Sequence, residues 1–346
     1  MSEDQPSTPK RWLVTGGLGF IGSHFIRMIL RTRTDVAIVN LDAITYAGNP
    51  ENARDFESDP RYAFVRGDIC NAEDVAHAIG GGVDAIVNFA AESHVDRSIL
   101  APEAFLRTDI LGTHVLLEAA RRHRIARYLQ VSTDEVYGDV ASGHSREDDA
   151  LAPRSPYSAS KAGADLQVLA YAATYDLPVL ITRGSNTYGP YQYPEKLIPL
   201  FVTNLLDDRA VPLYGDGEHV RDWLYVHDHA RAILTVLESG IPGNVYNVGG
   251  GDLRTNIDVT RTLLHLCERS FETHVEHVAD RAGHDRRYSV DSSKTRALGW
   301  RPQTTFSEGI VITKNWYEIH RAWWEPLKSG DYAAYYARQY GARARS

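Results

Sequence analysis

Two hydrophobic periods alternate along the first half of the chain. Short apolar runs at 11–15, 36–41, 63–65, 85–89, 127–132 and 179–182 have the length and β-branched content of buried strands. Between them, 24–31, 101–124 and 157–175 carry apolar residues at helical spacing. Strands separated by helical stretches predict βαβ units, hence an α/β, Rossmann-type, doubly wound parallel sheet. After Asn186 the alternation breaks down, and Pro190, Pro194, Pro199 and Pro212 punctuate it. The segments 192–211, 227–238 and 256–268 predict helices with short strands between them. We read 11–185 as the sheet domain. The stretch 186–326 reads mainly as a smaller mixed α/β lobe, with some chain returning to the sheet. Residues 1–10 and 329–346 read as surface tails.

The first strand runs into Gly16, Gly19 and Gly22, and a helix follows. A strand, a glycine turn and a helix N-terminus form an anion cradle. The turn needs free φ, the backbone must approach a pyrophosphate closely, and the helix supplies N–H donors and partial positive charge. Asp42 closes the second strand, 20 residues after Gly22. A carboxylate there accepts hydrogen bonds from a ribose 2′-hydroxyl and repels a 2′-phosphate, which favours NAD over NADP. Asp68, at the end of the third strand, is placed to reach the adenine end. The sheet domain is therefore read as an NAD-binding domain.

Composition removes several other classes. Of 346 residues, 37 are Lys or Arg and 45 are Asp or Glu, a net charge of −8, with no basic block. A nucleic-acid binder would need a basic footprint. No apolar run reaches membrane-spanning length, and the polar N-terminus does not resemble a secretory signal. Cys70 and Cys267 cannot make a disulfide framework, and their scarcity fits a reducing cytoplasm. The fourteen His residues show neither His-Glu-x-x-His nor a companion Cys-x-x-Cys, so no metal site is expected.

Tyr157 and Lys161 stand four apart on one predicted helical face. A phenol titrates near pH 10 and is a poor base at neutrality, but a nearby ammonium favours the phenolate. Ser132-Thr133-Asp134-Glu135 ends a predicted strand. Adjacent carboxyls push their pKa values apart, so one can donate a proton while the other accepts one. That pairing suits an elimination.

These motifs resemble the extended short-chain dehydrogenase/reductases, through Thr-Gly-Gly-x-Gly-Phe-Ile-Gly at 15–22 and Tyr-x-x-x-Lys at 157–161. Within that superfamily the chain is most similar to the dTDP-glucose 4,6-dehydratases. The closer match lies in Thr45-Tyr46-Ala47-Gly48-Asn49, Ala90-Ala91-Glu92-Ser93-His94-Val95-Asp96-Arg97-Ser98 and Thr133-Asp134-Glu135. It continues in Tyr188-Gly189-Pro190-Tyr191, Pro194-Glu195-Lys196-Leu197-Ile198-Pro199, Arg221-Asp222-Trp223 and Gly283-His284-Asp285-Arg286-Arg287-Tyr288.

The resemblance implies oxidation at C4 of a bound glucose, loss of water across C5 and C6, and return of hydride to C6. Tyr157 would be the base at O4, helped by Thr133 and Lys161. Glu135 would take the C5 proton, and Asp134 would protonate the departing O6. NAD contacts are implied for Gly16, Gly19, Phe20, Ile21, Gly22, Asp42, Thr45, Asp68, Ile69, Phe89, Ala90, Ala91, Thr108, Tyr157, Lys161 and Thr187. Substrate contacts are implied for Ser93, Thr133, Asn186, Lys196, Leu197, Pro212, Leu213, Tyr214, Arg221, Asn247, Asp280, Arg281 and His284. A cytoplasmic homodimer is implied, joined as a four-helix interface by the helix around 104–122 and the one carrying Tyr157.

The chain departs from the family pattern at Thr187 and Asp109, where Asn is usual, and at Ala282. The short link from Tyr137 to Tyr157 resembles versions serving antibiotic deoxysugar pathways. A 4-epimerase or decarboxylase of a UDP sugar, a GDP-mannose dehydratase and a non-catalytic sensor on the same fold are the competing readings. The Asp134–Glu135 pair speaks against the epimerase. Asp42 and the thymidine-type motifs speak against the GDP-sugar enzyme. Intact Tyr157, Lys161 and Glu135 speak against the sensor.

Overall fold

Strand β1 (Lys10–Thr15) lies between β2 (Val36–Asp42) and β4 (Ala85–Asn88), parallel to both. β3 (Tyr62–Arg66) flanks β2, while β5 (Arg127–Thr133) and β6 (Val179–Gly184) extend the sheet beyond β4. The seven strands of the sheet run parallel in the order β10-β6-β5-β4-β1-β2-β3. The last of them, β10 (Asn244–Val248), comes from well past Asn186 and pairs with β6. The computed structural model describes residues 10–340. The chain turns to opposite sides of the sheet from β1 and β4. The crevice at that switch point opens at the carboxyl ends of the strands, where such sheets bind ligands.

Helices cover both faces because strands buried on both sides are apolar throughout. The helices Phe20–Thr32 and Val226–Ser239 close one face with Phe25, Ile26, Ile29, Ile233 and Val236. Ala72–Ile79, Thr113–Arg122 and Pro156–Tyr175 close the other, with Val75, Leu116, Leu117 and Val168. The helix Pro156–Tyr175 starts sharply. Ser155 and Ser158 form a reciprocal cap, Pro156 occupies the first turn, and Asp176 ends the helix in the left-handed region.

The stretch predicted as one helix over 101–124 is broken. A short helix, Val95–Leu100, ends at Ala101, and Pro102 starts the next. A π-helical turn then runs from Leu106 to Gly112 before α-geometry resumes at Thr113. The helix expected over 192–211 is confined to Leu197–Leu206: Pro194 disfavours helical backbone at the residue before it, and Lys196, the N-cap, is extended.

Strands β7 (Asn186–Tyr188), β9 (Val220–Tyr225) and β11 (Leu253–Thr255) form a small mixed sheet. β8 (Val211–Tyr214) pairs in parallel with β12 (Val275–Val278). A separate core of Phe201, Val211, Leu263, Tyr317 and Trp324 holds this part together.

The C-terminal tail departs from its reading as a surface appendage. Asp331–Tyr340 is a helix whose Tyr332 and Tyr340 belong to that core. Tyr332, Tyr336 and Tyr340 recur at helical spacing and contact one another in sequence. The Tyr332 hydroxyl donates to the Pro194 carbonyl at 2.7 Å. Residues 1–9 and 341–346, the rest of the expected tails, lie outside the described residues. Truncating Tyr332 to Ala should lower unfolding stability by about 3 kcal/mol, as for other buried aromatics, measured by urea denaturation.

Candidate functional site

A cavity of about 440 Å³ lies in the crevice between the large sheet and the second lobe, within the range of small-molecule sites. One wall is the turn after β1. Gly16 has φ +68, and a Cβ there would fall 2.7 Å from the Ala90 nitrogen. A Cβ on Gly22 would stand 2.5 Å from the Gly16 carbonyl. Only glycine allows this loop to pack so closely at both points. The helix Phe20–Thr32 follows with no side-chain cap and no acidic residue in its first turn, so its positive end stays available. Asp42 accepts the Leu18 N–H at 2.9 Å and the Ile44 N–H at 2.8 Å. Burial raises its pKa, partly offset by those two bonds.

All sixteen residues expected to contact NAD line this cavity. Its inner wall also holds orphaned polar atoms. Ser185 Oγ, Asn186 Oδ1, Gln192 Oε1 and His229 Nε2 are buried there with no hydrogen-bond partner among the described residues. Buried polar groups are normally satisfied. A glycine cradle at one end and unsatisfied polar atoms deeper in suit a dinucleotide with a diphosphate and an amide-bearing ring. Thr187, the departure from the family pattern, spends its hydroxyl on His229 Nδ1 at 2.7 Å and the Ser185 carbonyl at 3.1 Å.

Thr133, Asp134 and Glu135 leave the end of β5 in a 3₁₀ turn. Thr133 Oγ1 caps that turn by accepting the Glu135 N–H at 3.3 Å. Tyr157 and Lys161 face the same space from the helix Pro156–Tyr175, and all five line the cavity. Lys161 Nζ donates to the Val131 carbonyl at 2.8 Å, pinning the helix to β5. Lys196 Nζ stands 6.0 Å from the centre of the Tyr157 ring and donates to the Ser93 carbonyl.

Asp134 is buried, and its Oδ2 has no partner among the described residues. Burial, then the charges of Glu135 and Asp222, hold its pKa well above the usual carboxylate range. These effects favour the protonated form of Asp134. The expected lowering of Tyr157 by Lys161 is not the dominant effect. Burial, Glu135 and Asp109 push the phenol pKa well up, and a hydrogen bond from Thr133 acts the other way. Deprotonating Tyr157 must rely on cations brought close to it.

Arg221 is prearranged at the far end. Its guanidinium donates to the carbonyls of Val220 at 2.8 Å and Asp285 at 2.9 Å and lies 4.4 Å from the Tyr288 ring centre. The Tyr288 hydroxyl is in turn anchored on Asp285 at 2.6 Å. Ser93, Asn186, Lys196, Leu197, Pro212, Leu213, Tyr214, Arg281 and His284 also line the cavity.

Two expected substrate residues do not. Asn247 is fully buried behind the site, where it takes the Tyr137 hydroxyl at 2.8 Å and donates to the Ser145 carbonyl at 3.1 Å. It fastens β10 to the loop before Pro156. Asp280 turns out of the cavity to hold His284 Nδ1 at 2.6 Å and His219 Nε2 at 3.2 Å. These three side chains could offer metal ligands. Burial and then Arg281 and Arg221 depress the His284 pKa strongly, a cationic setting that opposes a dication. Sequence reasoning missed Tyr340, which lines the cavity from the last helix and packs 6.0 Å from Tyr214. It also missed His229 and Tyr288.

Comparison with known proteins shows the family. A family model described as GDP-mannose 4,6 dehydratase matches residues 13–313. The dTDP-glucose 4,6-dehydratase of Streptomyces niveus is 51% identical over 330 residues, covering 93% of this chain and 97% of that protein. Escherichia coli K12 dTDP-glucose 4,6-dehydratase 1 is 47% identical, covering 96% of this chain and 99% of its own.

The chain belongs to the dTDP-glucose 4,6-dehydratase family.

DesIV, the dehydratase of Streptomyces venezuelae, was crystallised with NAD and superposes with a TM-score of 0.89 at 52% identity, covering 92% of this chain and all of that one. The Bacillus anthracis dehydratase, also crystallised with NAD, gives 0.86 at 47% over the same share of this chain. UDP-glucose 4-epimerase of Thermus thermophilus shares the fold at 31% identity with a TM-score of 0.82. Likeness at half identity over nine-tenths of the chain is narrower than a shared fold, and it is to the dehydratases. In this dehydratase, Gly22→Ala should weaken NAD binding at least about tenfold, because a methyl there displaces the loop from a bound pyrophosphate. Titration calorimetry on protein stripped of cofactor measures it.

Proposed function

We propose that this chain converts dTDP-glucose to dTDP-4-keto-6-deoxyglucose and water, with NAD held between the glycine turn and Lys161. The observation that carries this reading is one cavity in which Asp134, its carboxyl pushed toward the protonated form by burial, stands together with Glu135 and the Tyr157–Lys161 pair. NAD held there would supply reversible hydride transfer, out of C4 and back to C6, and C5 takes a proton from the site or solvent as the C6 hydride is returned. Tyr157 removes the proton of the 4-hydroxyl, with Thr133 hydrogen-bonding the same oxygen. The resulting ketone acidifies the C5 hydrogen. Glu135 takes that proton while Asp134 gives its own to O6, so the hydroxyl leaves as neutral water. General acid and base contributions of this kind are worth about 10²–10⁴ in rate each. Arg221 and Arg281 hold the diphosphate, and Pro212, Leu213, Tyr214 and Tyr340 enclose the base. An epimerase would have no use for a buried carboxyl whose surroundings favour the protonated form.

The test is turnover of dTDP-glucose in deuterated water without added NAD. One deuterium at C5 and loss of one water are expected. No reaction with dTDP-glucose, together with turnover of a UDP or GDP sugar, would overturn the nucleotide assignment. Glu135→Gln should slow elimination by about 10²–10⁴ while the 4-keto hexose still forms. Unimpaired elimination in that variant would remove Glu135 from the role of base.

We further propose a homodimer built on the segments 104–122 and Pro156–Tyr175. Leu106, Leu111 and Leu166 are 53%, 43% and 57% exposed there, a run of apolar side chains on adjacent elements. Free thiols at Cys70 and Cys267 fit a cytoplasmic enzyme, and the short Tyr137–Tyr157 link fits a supplier of antibiotic deoxysugars. Leu166→Glu should convert a dimer to a monomer in analytical ultracentrifugation. A dimer that survives Leu166→Glu combined with Leu111→Glu would place the interface elsewhere.

A further inference from the structure

Asp109 is 1% exposed and does not line the cavity, yet it touches two pieces of the cavity wall. Its Oδ2 accepts the Ser160 hydroxyl at 2.6 Å, and its Oδ1 accepts the Glu92 N–H at 2.9 Å. Ser160 lies between Tyr157 and Lys161 on their helix, and its hydroxyl stands 2.8 Å from the Tyr157 carbonyl. Glu92 follows the Phe89–Ala91 stretch and precedes Ser93, all on the cavity surface. Asp109 itself sits in the π-helical turn Leu106–Gly112, a geometry that re-aims side chains and often marks functional sites.

We propose that Asp109 is a positioning residue that sets the pH at which Tyr157 becomes a base. Its carboxylate clamps the Tyr157–Lys161 helix to the wall at Glu92 and puts a fixed negative charge behind the pair. The inference rests on Tyr157 acting as the base in the reaction proposed above.

The groups facing this carboxylate come from three elements. Lys161 and Tyr157 face it from the helix, Glu92 from the stretch after β4, and Cys70 from the turn after β3. Glu92 faces Glu195 and Arg97 in turn, and Tyr157 also faces Glu135 and Asp134. Lys161 is the cation among the groups acting directly on Asp109, and the same ammonium also acts on the buried Asp165. Burial raises the Asp109 carboxyl to about 6, so it is ionised at neutral pH and above. A negative charge opposes formation of a phenolate. Removing it lowers the Tyr157 pKa and leaves Lys161 free to favour the phenolate. Asp109→Asn keeps the shape and one acceptor and removes the charge.

The measurement is the tyrosinate difference absorbance of the NAD-loaded protein across pH, with Tyr157→Phe as the blank. Asp109→Asn and Asp109→Ser, both neutral, should ionise Tyr157 at a pH lower by about one unit, the scale of one nearby like charge. The acid limb of dTDP-glucose turnover should move the same way. Limbs should converge below about pH 6, where wild-type Asp109 is itself protonated. A lowered melting temperature with an unmoved titration would overturn the proposal and leave Asp109 a structural clamp. If wild type fails to turn over dTDP-glucose, the functional reading falls, while the substrate-free titration still decides the role of Asp109.

Discussion

The hydrogen bond from the Lys161 ammonium to the Val131 carbonyl joins the two elements on which the chemistry stands. β5 delivers Thr133, Asp134 and Glu135, and the helix Pro156–Tyr175 delivers Tyr157. Their separation is set by a buried cation that must find an acceptor, because an unpaired ammonium in such a place costs far more than a hydrogen bond returns. The rest of the architecture serves that contact. The Ser155–Ser158 cap fixes where the helix begins, and the Arg183–Asp165 ion pair at 2.9 Å, fully buried, fixes it again one turn beyond Lys161. Breaking such a pair by removing one partner leaves an uncompensated charge. The register is therefore steeply defended.

Electrostatics in the cleft run against the first step and in favour of the second. Burial and three acids raise the Tyr157 phenol, so a protonated tyrosine is the resting form of the protein alone. Burial, Glu135 and Asp222 hold the Asp134 carboxyl well up and favour its protonated form, which is what expulsion of a hydroxyl requires. One low-dielectric cluster of acids thus stores a proton where it must be given and resists losing one where it must be taken. Lys196, 6.0 Å from the Tyr157 ring centre, and Lys161, one turn along the same helix, are the cations placed to redress the balance at the phenol.

Much of this was legible in the residues. The parallel sheet followed from apolar runs of strand length, and the glycine turn from its place between strand and helix. The broken helix after Ala101 was not legible in full, because no residue type marks where a π-turn inserts its extra residue. Pro102 was a visible sign of the first break. Asn247 went astray because a buried polar residue at a strand end can face a ligand or a neighbouring loop, and sequence does not say which. The tyrosine cluster near 332–340 reads as core-edge or tail packing, and its spacing makes one helical face; that Tyr340 also reaches the cavity is not visible in that spacing. The placing of Asp109 depends on a long-range contact with Ser160, which no local pattern contains.

The cavity wall begins at Gly16 and reaches Tyr340, so it draws on both ends of the described chain. Anything bound across it acts as a noncovalent cross-link between them. Ligand occupancy then stabilises not one lobe but the closure of the whole polypeptide, in proportion to the logarithm of ligand concentration over its dissociation constant.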